Sequence, residues 1–159
     1  MIRAVGTDLV DVTRLEGYMD RVPGLRERLF TPVELAACRK HAASLGARLA
    51  VKEAVLKALG SAYAELGLDA PEGWAYQDIE VTSTPGTPPR LRLTGAAAMA
   101  ARQAGIGHWH LSLAHDGGMA QAFVVAQADH VDNDDDLALS SQRSEARVKP
   151  QVKSLRPAL

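Results

Sequence analysis

Charged side chains set among apolar neighbours mark the parts of this sequence able to do chemistry, because burying an ion costs free energy unless something meets it. The first is Asp8, in the run Val5-Gly6-Thr7-Asp8-Leu9-Val10. It falls at the end of a predicted strand, where Gly6 permits close approach to the backbone. Asp8 either serves a site or caps the helix that follows. The second is Arg48-Leu49-Ala50-Val51-Lys52-Glu53-Ala54-Val55-Leu56-Lys57-Ala58-Leu59-Gly60. At helical spacing Glu53 and Lys57 share one face, as do Arg48 and Lys52. Alone, Glu53 and Lys57 would be an ordinary exposed ion pair. The surrounding alanines and aliphatics, however, describe a helix packed nearly all round, with little room for a solvated charged stripe. Three cations around one carboxylate suit a polyphosphate ligand with a bridging metal. Magnesium takes oxygen ligands, typically with one or two carboxylates among them, leaving other positions to water and phosphate. Asp8 and Glu53 would meet that need, and the cations would neutralise phosphate and leaving-group charge.

The third segment is His110-Leu111-Ser112-Leu113-Ala114-His115. Period two puts His110, Ser112 and Ala114 on one face and Leu111, Leu113 and His115 on the other. His115 ends the strand beside a glycine turn, within reach of a ligand or simply structural. His108 and His110 share a face but lack an evident third metal ligand. Gly105-Ile106-Gly107 lacks the strand-turn-helix setting of a nucleotide fingerprint.

The elements that must position these residues follow from pattern. Ile2 to Val10 reads as a strand, followed by a helix from Asp11 to about Arg21 that Pro23-Gly24 interrupts. Thr31-Pro32-Val33-Glu34 is a capping box with proline at the first helical position, and opens a helix to about His41. A long helix spans roughly Ala43 to Tyr63. Ile79 to Thr82 and Arg90 to Leu93 alternate with period two and form a hairpin. Thr94 is placed to cap a helix from Gly95 to about Gln103. His108 to His115 and Met119 to Gln127 close the series as strands around Asp116-Gly117-Gly118. The order β-α-α-α-β-β-α-β-β predicts an α+β domain, helices on a small, mainly antiparallel sheet.

Composition bounds the rest. A chain of 159 residues suits one domain with an appendage. The division falls near residue 128, giving a body, 1–128, and a charged tail, 129–159, without aromatic residues or apolar period, expected to be disordered. Of 18 basic and 19 acidic residues the tail takes five and six, leaving 13 of each sign in the body. A neutral body carries no polyanion-binding signature, so nucleic acid is not expected as a partner. The single cysteine, Cys38, excludes an intrachain disulfide and any Cys-cluster metal site, and reads as a small hydrophobe on a helix. No 18-residue apolar run exists, and Met1-Ile2-Arg3 enters the first strand directly, so neither membrane span nor signal peptide is expected. The expected location is the cytoplasm.

Gly6-Thr7-Asp8-Leu9-Val10 with Arg14 resembles the N-terminal signature of the holo-acyl-carrier-protein synthases, the small 4'-phosphopantetheinyl transferases. Phe30-Thr31-Pro32-Val33-Glu34 is similar to their second short motif, and Arg48 to Gly60 to their central helix. Gly86-Thr87-Pro88 before Leu91-Arg92-Leu93-Thr94-Gly95, and Leu111-Ser112-Leu113-Ala114-His115, fit the later signatures. The agreement runs from residue 2 to about 127 and covers none of the tail. Ala114 departs from the Ser or Thr that often precedes the histidine, and Leu49 and Val51 from the usual aromatic or alanine.

The resemblance implies that family's fold, with a long central helix, and its reaction. A serine of apo acyl carrier protein attacks the β-phosphate of coenzyme A, receives 4'-phosphopantetheine and releases adenosine 3',5'-bisphosphate, in fatty acid biosynthesis. It makes Asp8 and Glu53 the Mg2+ ligands and Lys57 the catalytic cation. Arg48 and Lys52 would meet the phosphates of coenzyme A, with Pro88, Ser112 and His115 lining the nucleotide pocket. Arg14, Arg21, Arg26 and Arg28 would face the carrier protein. It further implies a homotrimer whose sites lie between subunits. The serine's base is left open between metal-bound water and a carboxylate such as Asp11. Two rivals stand beside this reading. A metal-dependent phosphodiesterase would use Asp8, Glu53 and Lys57, against the neutral charge of the body, and a non-catalytic carrier-binding homologue would have no need of those three residues.

Overall fold

The structure, a computed structural model, describes residues 1–39, 41–84 and 86–129. The expectation of a disordered charged tail therefore lies, Asp129 apart, outside the described residues. Strand β1 (Ile2–Asp11) leads into helices α1 (Val12–Arg21), α2 (Leu25–Leu29), α3 (Pro32–Cys38) and α4 (Ala42–Glu65). A single 3₁₀ turn (Tyr76–Asp78) precedes the hairpin β2 (Ile79–Thr82) and β3 (Arg90–Leu93). Helix α5 (Gly95–Gln103) and strands β4 (Ile106–Asp116) and β5 (Met119–Ala128) complete the described fold.

This is the expected α+β arrangement, with the sheet divided in two. β1, β5 and β4 form one antiparallel sheet in that order, and β2 and β3 form a separate ribbon. The register pairs Asp8 with Ala122 and Ala122 with Leu113. Ala4, Gly6, Val10, Ala120, Ala122, Val124 and Ala126 face inward, small enough for α4 to lie directly on the sheet. Gly6 sits at the closest approach: a Cβ there would fall 1.9 Å from the carbonyl oxygen of Ala54. What approaches the backbone at this glycine is α4, as packing.

Helix α4 is buried on nearly every side, as its mixture of alanines and aliphatics predicts. The capping box forms in full, with the Thr31 hydroxyl accepting from Glu34 N and the Glu34 carboxylate accepting from Thr31 N.

Four local details go beyond the sequence reading or differ from it. β1 runs on to Asp11 because pairing with β5 continues to Met119, so Asp11, not Asp8, caps α1 by accepting from Arg14 N at 2.9 Å. The helix opened by the capping box ends at Cys38 rather than near His41, where Arg39 turns to φ 49°. Thr94 caps α5 with no side-chain bond; its amide donates to Asp78 O at 2.8 Å and ties α5 to the 3₁₀ turn. Helix α2 was not expected: five residues, three of them charged, are too short for the i, i+4 spacing of Leu25 and Leu29 to stand out as a helical period.

Candidate active site

Asp8 and Glu53 reach one cavity. It holds about 260 Å³ and is lined by Asp8 and Asp11 of β1, Arg14 and Tyr18 of α1, and Leu49 and Glu53 of α4. The close contact at Gly6 brings this about. It seats α4 on β1, and two residues later the Asp8 side chain emerges beside the helix turn that carries Glu53 and Lys57. Lys57 donates to Asp8 Oδ1 at 2.7 Å and to the Thr7 carbonyl at 3.3 Å. The lysine side chain is 56% exposed and the aspartate's 16% exposed, so the cation is reached by solvent while its partner lines the cavity. An exposed pair of this kind contributes little to stability; its value lies in holding charge where a ligand enters.

Glu53 is held from outside its own helix. The hydroxyl of Tyr76 donates to Glu53 Oε1. Burial, then this hydrogen bond, push the phenol above its ordinary range, so it stays a donor. Asp11 lines the same cavity but commits Oδ1 to the cap of α1. Two carboxylates facing an open cavity form a hard-oxygen set that fits one divalent cation whose remaining positions are filled by water and phosphate. Among the described residues no cluster of three or more His, Cys, Asp and Glu exists, so an all-protein cage is not formed.

Lys52 corrects the sequence reading. Its side chain is wholly buried, with Nζ 2.7 Å from Glu34 Oε2 and 2.9 Å from the carbonyl of Tyr76, over the ring of Phe30. Burial pulls its pKa down and Glu34 opposes that shift. Such a lysine is unavailable to the phosphates of a bound ligand. Its neighbours extend the network: Glu34 Oε1 accepts from Val81 N, and Thr31 donates to Glu80, which also accepts from Arg92. Thr31 and Arg92 together hold the Glu80 carboxyl below its usual range, against its burial. Arg48 is buried too, donating to Ser44 O and Ser83 Oγ, with no partner for Nε among the described residues. Neither Arg48 nor Lys52 lines the Asp8–Glu53 cavity.

Residues 4–128 match the family model of the 4'-phosphopantetheinyl transferase superfamily. The chain belongs to that superfamily. A holo-[acyl-carrier-protein] synthase of Kocuria rhizophila is 44% identical over 135 residues, 85% of this chain and the whole of that protein. An acyl carrier protein synthase of Mycobacterium tuberculosis is similar in structure, at TM-score 0.62 and 35% identity, over 81% of this chain and all of that one. The Chronobacterium ammoniagenes synthase solved as its coenzyme A complex superposes at TM-score 0.70 and 26% identity, over 80% of this chain and 98% of that one. The fold is therefore the phosphopantetheinyl transferase fold, with helices packed on a small antiparallel sheet.

Within this transferase chain the three residues assigned to a nucleotide pocket are not brought together. Pro88 lines a second cavity of about 390 Å³ with Arg90, Trp109 and His110. Ser112 is exposed on the outer face of the sheet, opposite Phe123. His115 is exposed at the end of β4, where strand alternation puts it on the other face from Ser112. Of the arginines assigned to a partner, Arg14 is exposed at the cavity, Arg21 lies over the ring of Tyr18 at 5.3 Å, and Arg26 and Arg28 belong to α2. Sequence reasoning missed Tyr76 as a site residue and Glu34 as the partner of Lys52. Tyr76 lies in a stretch with no periodicity to assign a face; Glu34 was read only as a cap, and a buried cap residue has a free oxygen to pair.

Proposed function

We propose that this transferase moves 4'-phosphopantetheine from coenzyme A to a serine of apo acyl carrier protein, releasing adenosine 3',5'-bisphosphate, with Mg2+ held by Asp8 and Glu53. The observation that carries the proposal is that these two carboxylates, 45 residues apart in sequence, line one open cavity, with Lys57 bonded to Asp8. The synthases that share most of this chain's length support it. A bound Mg2+ would supply positive charge against the diphosphate of coenzyme A.

The protein's own part is positioning and charge. Lys57, exposed and paired to only one oxygen of Asp8, can turn to the transferred phosphate and neutralise charge building on the departing nucleotide. Arg14 and Tyr18 line the α1 side of the cavity and leave it accessible from the face on which a carrier would dock. Arg21, Arg26 and Arg28 extend that face with positive charge, suited to an acidic carrier. Arg48 is proposed to meet a coenzyme A phosphate only through a rearrangement that frees its buried guanidinium.

A homotrimer is part of the same proposal. The outer face of the β1-β5-β4 sheet exposes Val5, Leu9 and Phe123, at 52%, 56% and 46%. Exposed apolar side chains on neighbouring strands favour burial against other copies. Copies meeting there would also bring the exposed Ser112 against a neighbour. The mass in solution by light scattering is then three times the 17.0 kDa of the chain. No helix among the described residues is long and apolar enough to cross a membrane, in keeping with a proposed cytoplasmic location.

The deciding experiment is intact-mass spectrometry of apo carrier protein incubated with coenzyme A, Mg2+ and the chain. The carrier gains one phosphopantetheine; Asp8→Ala and Glu53→Ala abolish the gain while retaining the fold. An unchanged carrier mass with the wild-type chain retires the proposal.

A further inference from the structure

Lys52 and Glu53 are adjacent on α4 yet point to different places, and Tyr76 touches both. Its backbone carbonyl accepts from Lys52 Nζ at 2.9 Å, and its hydroxyl donates to Glu53 Oε1. The rest of Tyr76 is fixed independently. The amide of Ile79 donates to its carbonyl, closing the 3₁₀ turn, and Asp78 accepts from Ala75 N at 3.1 Å on the other side of that turn. Thr94 N donates to Asp78 O at 2.8 Å, tying the turn to α5. The ring meets Trp74 edge-on, with centroids 5.4 Å apart at 85°. Lys52 itself is held by Glu34, which in turn accepts from Thr31 N and Val81 N. Among the described residues, nothing but Tyr76 donates to the Glu53 carboxylate.

We propose that Tyr76 is a positioning residue for Glu53: anchored through Lys52 to the core, it fixes one carboxylate oxygen and leaves the other for a divalent cation shared with Asp8. The inference rests on the metal-dependent transfer reading above. Its physical content is preorganisation. A glutamate on a helix has three side-chain torsions, and with Lys57 drawn to Asp8 no cation in the cavity holds it. A donor fixed at both backbone and ring removes that freedom before any ligand arrives. Partners that orient a metal's ligands typically change metal affinity or activity by about 10- to 100-fold when removed. The buried pair Glu34–Lys52 thereby has a use at the site without touching a substrate, since it holds the backbone from which the hydroxyl extends.

Tyr76→Phe tests this, because it keeps the ring, its contact with Trp74 and the carbonyl held by Lys52, and removes only the hydroxyl. Two quantities are read: Mn2+ binding in the presence of coenzyme A without carrier, followed by the electron paramagnetic resonance of free Mn2+, and transfer rate as a function of Mg2+. The expected result is about 10-fold or more weaker Mn2+ binding, with the rate deficit closing at high Mg2+. KM for carrier and the thermal midpoint stay near wild type. A Tyr76→Phe chain that matches wild type in both Mn2+ affinity and Mg2+ dependence overturns the positioning role while leaving the transfer reading intact. A wild-type chain that neither binds Mn2+ nor loads the carrier overturns both.

Discussion

Replacing Lys52 with methionine separates a structural cation from a phosphate ligand. Methionine keeps most of the aliphatic volume beside Phe30 and removes the charge. The pair it breaks is fully buried, 2.7 Å apart. At that distance and an effective dielectric of ~20 the attraction is about 6 kcal/mol, much of it offset by desolvating both ions. Removing one partner of a buried pair typically costs about 3–5 kcal/mol, because the other charge is stranded. The two ends are unequal here. Without Lys52, the Glu34 carboxylate still accepts from Thr31 N and Val81 N, so Lys52→Met falls near the lower figure. Glu34→Gln replaces one acceptor oxygen with a donor facing an amide and also leaves Lys52 unpaired, so it falls near the upper figure. The double variant recovers part of the summed loss, since no unpaired ion remains. Urea unfolding at one fixed protomer concentration measures all four proteins. A Lys52→Met chain of wild-type stability whose KM for coenzyme A is raised would show that the lysine serves the ligand, and the reasoning from burial would be wrong.

Other outcomes follow from the same geometry. Gly6→Ala places a Cβ against backbone atoms of Ala54, which no side-chain rotation relieves, so a loss of about 3 kcal/mol is expected by urea unfolding; wild-type stability would mean that α4 is not seated on β1 as described. Glu80 has a folded pKa below its ordinary value, so its stabilising contribution is complete above about pH 4.3 and is lost as pH falls through the folded value. Glu80→Gln accordingly flattens that acid limb in a stability–pH profile, while an unchanged limb assigns it to other carboxylates. Truncation after Asp129 leaves the transfer rate near that of the full chain, because the family match ends at residue 128; a collapse in rate would give the tail an active part.

Local chemistry made much of the fold legible. The Thr31–Glu34 capping box is closed by residues three apart, and β2 and β3 have the bounds that alternation and turn residues gave them. Helix α4 was readable because aliphatics and alanines recur around it, and Asp8, Glu53 and Lys57 stood out as charges in apolar company. The same feature hid which way Lys52 turns. A helix buried on nearly every side has only a narrow polar face, so periodicity cannot distinguish a charge facing a cavity from one facing a partner in the core. Whether Asp8 caps α1 or serves a site was open for a comparable reason: the length of β1, which leaves the cap to Asp11, is set by pairing with β5, more than a hundred residues away.

By itself, then, the sequence determined most element types, the close approach that Gly6 permits, and which charges stand in apolar company. Tertiary structure alone decided which of those ions meet: Lys52 with Glu34, Lys57 with Asp8, Glu53 with Tyr76. The physical reason is that residue type and spacing fix local geometry over a few residues, whereas an ion's partner is chosen by which elements pack against it, and the desolvation cost of leaving it unpaired makes that choice binding.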